Sequence, residues 1–211
     1  MTGSGPRVEH LTTEGIFSLD GADFEVENNI WLFGDDDEVV VVDAAHDHEP
    51  IVAAVAGRRV VAVVCTHGHN DHVNAAPALA EAVGAPIALH PDDRMLWDVV
   101  HPGRAPDRTL ADGDVVRVAG VMLTVLHTPG HSPGGVCLHD GGTTLFSGDT
   151  LFQGGPGATG RSHSDFPTII ESIRDRLLVL PPDTVVHTGH GATTTIGAEA
   201  PQLDDWVRRG H

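Results

Sequence analysis

Short apolar runs rich in β-branched residues, each closed by Gly, Asp or Pro, recur along the chain. They predict strands at 25–33, 39–42, 60–65, 86–89, 121–126, 143–146 and 184–187. Apolar positions three and four apart predict helices at 50–56, 75–83, 92–100, 167–180 and 200–208. The early strands include close-set pairs suited to antiparallel pairing, whereas the later ones alternate with helices. Two mixed sheets with helices on both outer faces satisfy that order. No tandem repeat or linker divides the chain, so one α/β domain over residues 1–211 is expected.

Composition narrows the classes. Hydrophobic residues make up 40% of the chain, as a packed globule requires. No apolar run reaches the length of a membrane span, and residues 1–10 lack the apolar stretch of a signal peptide. A cytoplasmic protein without a membrane partner is the expectation. The net charge is -18, and all 12 basic residues are Arg. Such an acidic surface repels a phosphate backbone, which excludes nucleic acid as a partner. Cys65 and Cys137 each lie in an apolar stretch and are expected as buried, reduced thiols.

Histidine changes the picture. Fifteen are present, several in tight clusters. In Thr-His-Gly-His-Asn-Asp-His, at 66–72, His67, His69, Asp71 and His72 place four metal donors within six residues, directly after a predicted strand. His67 and His69 suit one ion; Asp71 and His72, opening the next helix, suit a second. A solvated His-rich loop is the competing reading, and it fits His46 and His48. Three further motifs follow strands: His131 in Thr-Pro-Gly-His-Ser-Pro-Gly-Gly, Asp149 in Ser-Gly-Asp-Thr-Leu-Phe, and His190 in Thr-Gly-His-Gly. Each is weak alone. In this order, at strand ends that converge on one cleft, they form a specific set.

These motifs, from about Asn28 to Ile196, resemble the metallo-β-lactamase superfamily and, within it, the glyoxalase II-like branch. The resemblance implies a four-layer αββα sandwich. It implies one divalent ion held by His67, His69 and His131, a second held by Asp71, His72 and His190, and Asp149 bridging them. Asp43, in Val-Val-Asp-Ala-Ala, matches the family's first motif, an Asp that supports the ligands; a plain strand-ending Asp is the alternative. Two ions about 3.5–4 Å apart can share a water and lower its pKa toward neutrality, making hydroxide the expected nucleophile. Asp71 could also steer it. Imidazole and carboxylate donors suit Zn first and Fe second.

The substrate is sought by elimination within the family. β-Lactamases of this fold generally lack the bridging carboxylate that Asp149 supplies. Related lactonases use an active-site Tyr, and this chain has none. The tRNase Z-type nucleases need basic surface. A persulfide dioxygenase would hold one iron and carry Gly-Cys-Gly-Arg, where this chain reads Gly-Ala-Thr-Gly-Arg at 157–161. Thioester hydrolysis is the leading expectation, because a thiolate of pKa about 8.5 leaves without a strong acid. A mononuclear iron persulfide dioxygenase and a lactonase are the alternatives. Only 21 residues follow His190, too few for the helical domain that gives long glyoxalase II enzymes their glutathione contacts, so the thiol carrier stays open. Actinobacterial relatives of similar look suggest mycothiol thioesters, including S-formylmycothiol. The segment 154–166 is read as a substrate loop in which Arg161 and His163 contact the substrate; a plain surface turn is the alternative.

Overall fold

The computed structural model describes residues 5–210; residues 1–4 and 211, which belong to the expected domain and to the N-terminal segment read above, lie outside the described residues. Six strands form the first sheet in chain order: β1 (Arg7–Leu19), β2 (Ala22–Gly34), β3 (Glu38–Val42), β4 (Arg59–Val64), β5 (Ile87–Leu89) and β6 (Arg108–Thr109). The first three pair antiparallel and the rest run parallel to β3. The second sheet contains β7 (Val115–Val118), β8 (Val121–His127), β9 (Val136–His139) and β10 (Thr144–Gly148) as an antiparallel meander. Past a small hairpin, β11 (Leu151–Phe152) and β12 (Gly155–Pro156), β13 (Val185–Thr188) joins β10 in parallel and β14 (Thr194–Thr195) closes the edge.

The strand period of two sorts the core into layers. On β2 and β3, Ile30, Leu32, Val39 and Val41 face outward onto Ile51 of α1 (His48–Val55), Leu79 of α3 (Ala76–Val83) and Trp97 of α4 (Arg94–Val100). Their neighbours Trp31, Phe33, Val40 and Val42 face inward onto Leu123, Val125, Leu138 and Phe146 of the second sheet. On that sheet's other face, Leu145 and Val186 meet Ile169 of α5 (Phe166–Ser172), Ile196 of α6 (Ile196–Glu199) and Trp206 of α7 (Leu203–Arg209). Helix, sheet, sheet and helix give the four-layer sandwich. Among the described residues no helix is long and apolar enough to cross a membrane. Both cysteines are buried and free, and burial pushes the Cys137 thiol up to about 11.

Several elements differ from expectation. β1 is unpredicted because its mostly part-exposed residues show no apolar face; ladder bonds to β2 hold it in place. The hairpin turns at Asp20-Gly21, both with left-handed φ of 54° and 76°, the geometry a two-residue turn needs. Later strands do not simply alternate with helices, since β7 to β10 follow one another directly. The helix expected at 167–180 is regular only over Phe166–Ser172 and widens into a π turn at Ile173–Leu177. Its buried positions Ile169, Ile173 and Leu177 stay four residues apart across the change, so periodicity cannot mark it. The helix expected at 200–208 opens as a 3₁₀ turn, Ala200–Gln202, and becomes α7 only at Leu203.

Candidate metal centre

Four strands deliver the donors to one end of the sandwich. After β4 come His67 and His69, and α2 (Asn70–Val73) continues with Asp71 and His72. His131 follows β8, Asp149 follows β10 and His190 follows β13. Donor atoms of His67, His69 and His131 lie within 4.8 Å of one another, as do those of Asp71, His72 and His190 and those of His67, His72 and Asp149. Asp149 spans the two triads: its carboxylate is 3.5 Å from His131 Nε2, 3.4 Å from His72 Nε2 and 3.5 Å from His190 Nε2.

Outward hydrogen bonds fix most of the imidazoles with a bare nitrogen turned inward, as metal ligation requires. His72 Nδ1 donates to Asp43 Oδ2 at 2.9 Å, His131 Nδ1 to the Ala158 carbonyl at 2.8 Å, and His190 Nδ1 to the Glu27 carbonyl at 2.6 Å. Asp43 also accepts from the Thr66 backbone N–H at 2.7 Å and from its hydroxyl at 2.9 Å. With its proton on Asp43, that hydroxyl accepts from His67 Nδ1 at 3.1 Å. Asp43 thus aligns two donor residues while touching neither cleft nor solvent. His69 presents Nδ1 to His131 Nε2 at 3.0 Å.

The donor chemistry fits cations. His67 Nε2, His69 Nε2, Asp71 Oδ1 and Asp149 Oδ1 are buried with no hydrogen-bond partner, a costly arrangement unless a ligand satisfies them. Electrostatics split the centre in two. Burial first, then His72 and His69, hold His67 well below the usual imidazole range, and burial with His131 brings His69 down to about 3. Burial also opposes a charge on His72 and His190, but the Asp149 and Asp71 carboxylates outweigh it, lifting them to about 9 and about 11. Asp149 stays ionised far below its ordinary range: burial opposes this, and His72 and His190 prevail. His67 and His69 are therefore uncharged at neutral pH, while His72 and His190 would give up a proton to any ion that enters.

A cleft of about 340 Å³ opens onto the donors, walled by Phe17 and Val26 of the hairpin and by Phe152 and Ala158. The Phe17 ring meets His69 edge-on at 5.3 Å. Arg161 and His163 are exposed and form no part of these walls. Arg161 lies over the Phe24 ring, 4.4 Å from its centroid, and Ser162 N–H donates to Asp20 Oδ2 at 3.0 Å, so segment 154–166 docks on the hairpin tip.

Three contributors escaped the sequence reading. Asp93, fully buried, accepts from Gly68 N–H at 2.7 Å, Ser132 Oγ at 2.7 Å and Gly134 N–H at 2.5 Å, tying the loop of His67 and His69 to that of His131. The Phe17 half of the hairpin wall comes from the unpredicted β1. His46, expected in a solvated loop, is instead half-buried, with Nε2 2.8 Å from Asn28 Oδ1. A lone Asp before a helix, or a His among other His, carries no spacing signal that reveals such partners.

The metallo-beta-lactamase superfamily model matches residues 24–190. GloC of Haemophilus influenzae, named a hydroxyacylglutathione hydrolase, is 32% identical over 191 residues, which cover 82% of this chain and 89% of that protein. TTHA1623, solved in a di-iron-bound form, is 36% identical with a TM-score of 0.74, covering 83% of this chain and 93% of its own. BLEG-1, a B3 metallo-beta-lactamase, is 29% identical with a TM-score of 0.75, covering 90% and 97%. By family, fold and donor set, the chain belongs to the metallo-β-lactamase superfamily.

Proposed function

We propose that this protein is a dinuclear metal-dependent hydrolase that cleaves acyl thioesters of a low-molecular-weight thiol in the cytoplasm, acting as one domain. The observation that carries the reading is the pair of donor triads with Asp149 reaching both. His67, His69 and His131 would hold one divalent ion and Asp71, His72 and His190 the other, with Zn the first choice. Iron is the second, and the di-iron form of TTHA1623 favours giving it equal weight in any test. When bound, the ions supply Lewis-acid polarisation of a carbonyl and a lowered water pKa.

The chain's own groups do the rest. Asp71 Oδ1, buried and unpartnered, is available to orient an attacking water. Phe17, Val26, Phe152 and Ala158 keep solvent from one side of the cleft and offer an apolar seat for an acyl chain. No Tyr is present to protonate a leaving group, a modest lack when the leaving group is a thiolate of parent pKa about 8.5.

GloC is named for an acyl conjugate of a thiol, which supports the thioester class. This chain spans 89% of it, so the short tail after His190 does not argue against glutathione. Charge does: Glu14, Glu25 and Glu27 line a groove that adjoins the cleft at Val26 and would repel an anionic carrier. A neutral carrier is favoured, mycothiol and its S-formyl ester among the candidates, with Arg161 and His163 contacting it from the rim.

The test is elemental analysis with a hydrolysis screen across thioesters of several thiols, alongside lactones, a β-lactam and a persulfide under an oxygen electrode. Two ions per chain with thiol release from a thioester supports the proposal. One iron per chain with oxygen consumption on the persulfide would replace it with a dioxygenase; preferred turnover of a lactone or lactam would move it within the family.

A further inference from the structure

Asn28 is not among the seven donors, yet it is fully buried on β2 against the second triad. Its side-chain nitrogen lies 3.1 Å from Asp71 Oδ2, 3.2 Å from His72 Nε2 and 3.5 Å from His190 Nε2. A carboxamide can present either its oxygen or its nitrogen, and the two have opposite consequences for a cation site. Here the choice is dictated by a backbone amide two side chains away.

The His46 backbone N–H can only donate, and it meets Asn74 Oδ1 at 2.6 Å. The other end of Asn74 is therefore its NH₂ group, which donates to His46 Nδ1 at 3.2 Å. An imidazole that accepts at Nδ1 carries its proton on Nε2, and that N–H donates to Asn28 Oδ1 at 2.8 Å. With its oxygen so engaged, Asn28 turns NH₂ toward the triad. The chain of bonds is rigid at its origin: His46 sits at a left-handed φ of 60°, and its ring occupies the space where any Cβ at Gly15 would stand.

We propose that Asn28 is a positioning residue for the second metal triad, set by the relay Asn74–His46–Asn28. An NH₂ group cannot ligate a cation, so Asn28 is not an eighth donor. By donating to Asp71 Oδ2 it fixes a carboxylate whose oxygens both lie inside a buried centre. That oxygen keeps a lone pair for an ion shared with His72 and His190. Asp71 is then ordered before the ion arrives, which removes an entropic cost from binding at this triad alone. The first triad is aligned by different groups, Thr66, Ala158 and Asp93, none of which touches Asn28 in the described hydrogen bonds.

The inference rests on the two-ion reading above, and one experiment separates the two. Metal-free protein is titrated with Zn²⁺ against a chromophoric chelator, giving two binding constants per chain for the wild type, Asn28→Leu, His46→Leu and the double variant. Expected is a loss of about 10–100-fold in one constant for Asn28→Leu, the usual size for a supporting partner of a ligand, with the other unchanged. His46→Leu weakens the same constant by less, and the double variant is no weaker than Asn28→Leu, since a relay broken once is not broken again. A wild type that binds one ion overturns the dinuclear reading and the relay with it. A wild type that binds two, with Asn28→Leu binding both normally or losing both equally, overturns the relay alone. Additive losses in the double variant remove His46 from it. If Asn28→Leu does not fold, His46→Leu decides by the same criterion: one weakened constant, not two.

Discussion

Asp149 and Arg161 are twelve residues apart in the chain, yet opposite forces hold them. Asp149 is buried, ionised far below its ordinary range and within 3.5 Å of imidazoles from both triads. Arg161 is exposed and rests on the face of one phenyl ring, on a segment tied down through Ser162 and Asp20. The first arrangement is over-determined, so few side chains could replace any member. The second is held by contacts each worth about 0.5–1 kcal/mol and can adapt to what enters the cleft. Under the proposed function, the buried half of the site would set the reaction type and the rim the choice of substrate.

The largest effect expected belongs to the buried half. Asp149→Ala should lower kcat/KM by at least about a hundredfold, exceeding the 10–100-fold typical of a supporting residue, because it removes a carboxylate that reaches imidazoles of both triads. Circular dichroism should remain that of a folded chain while metal content falls. Full activity at full metal content would show that Asp149 bridges nothing.

Asp43→Ala is expected next, at about 10–100-fold in activity or metal affinity. Its loss strands the His72 Nδ1–H and Thr66 groups that it holds at 2.7–2.9 Å. An unchanged metal affinity would return Asp43 to the plain strand-ending role.

The proton balance gives a third, smaller effect. His72 is lifted from 6.5 to about 9 in the metal-free fold by Asp149, Asp71 and Asp43, against the opposing pull of burial. A raised folded pKa stabilises fully below the unfolded value and loses that stabilisation as pH climbs through the folded one. The melting temperature of metal-free protein should therefore fall from about pH 6.5 through about pH 9 as His72 loses its proton, and on toward about pH 11 as His190 follows. Metal-loaded protein, its second triad already deprotonated, should not show the fall. Parallel curves for the two forms would contradict the assignment of protons to the second triad.

The smallest effect is at the rim. Arg161→Ala should raise KM for the thioester several-fold while kcat and metal content stay the same, since the contact lies outside the reacting centre. A drop in kcat alone would place Arg161 among the groups that stabilise developing charge. His163→Ala, measured alongside, should change KM if that imidazole lines the bound carrier.

The same division governs what the sequence reveals. His67, His69, Asp71 and His72 stand out as candidate donors because ligands of one ion must be close in space, and these are also close in sequence. His131, Asp149 and His190 each follow a legible strand. The alternation in β2 and β3 likewise exposes the layers. What stays hidden acts through tertiary contact without periodicity: β1, which owes its place to ladder bonds, and Asp93, which clamps two loops from a helix start. His46 is hidden for a different reason, since a half-buried imidazole aimed at Asn28 reads in sequence like a solvated one. The rim is least legible because its contacts, Arg161 on Phe24 and Ser162 on Asp20, are weak and carry no periodicity.

Hydrolysis of a thioester is proposed to need two ions, one in each triad. The most direct test is thiol release from an acyl thioester while Zn²⁺, and separately Fe²⁺, is titrated into metal-free protein. Release should stay low through the first equivalent and rise to a plateau at two ions per chain. A plateau already reached at one ion, or no release at any occupancy with either metal, would contradict it.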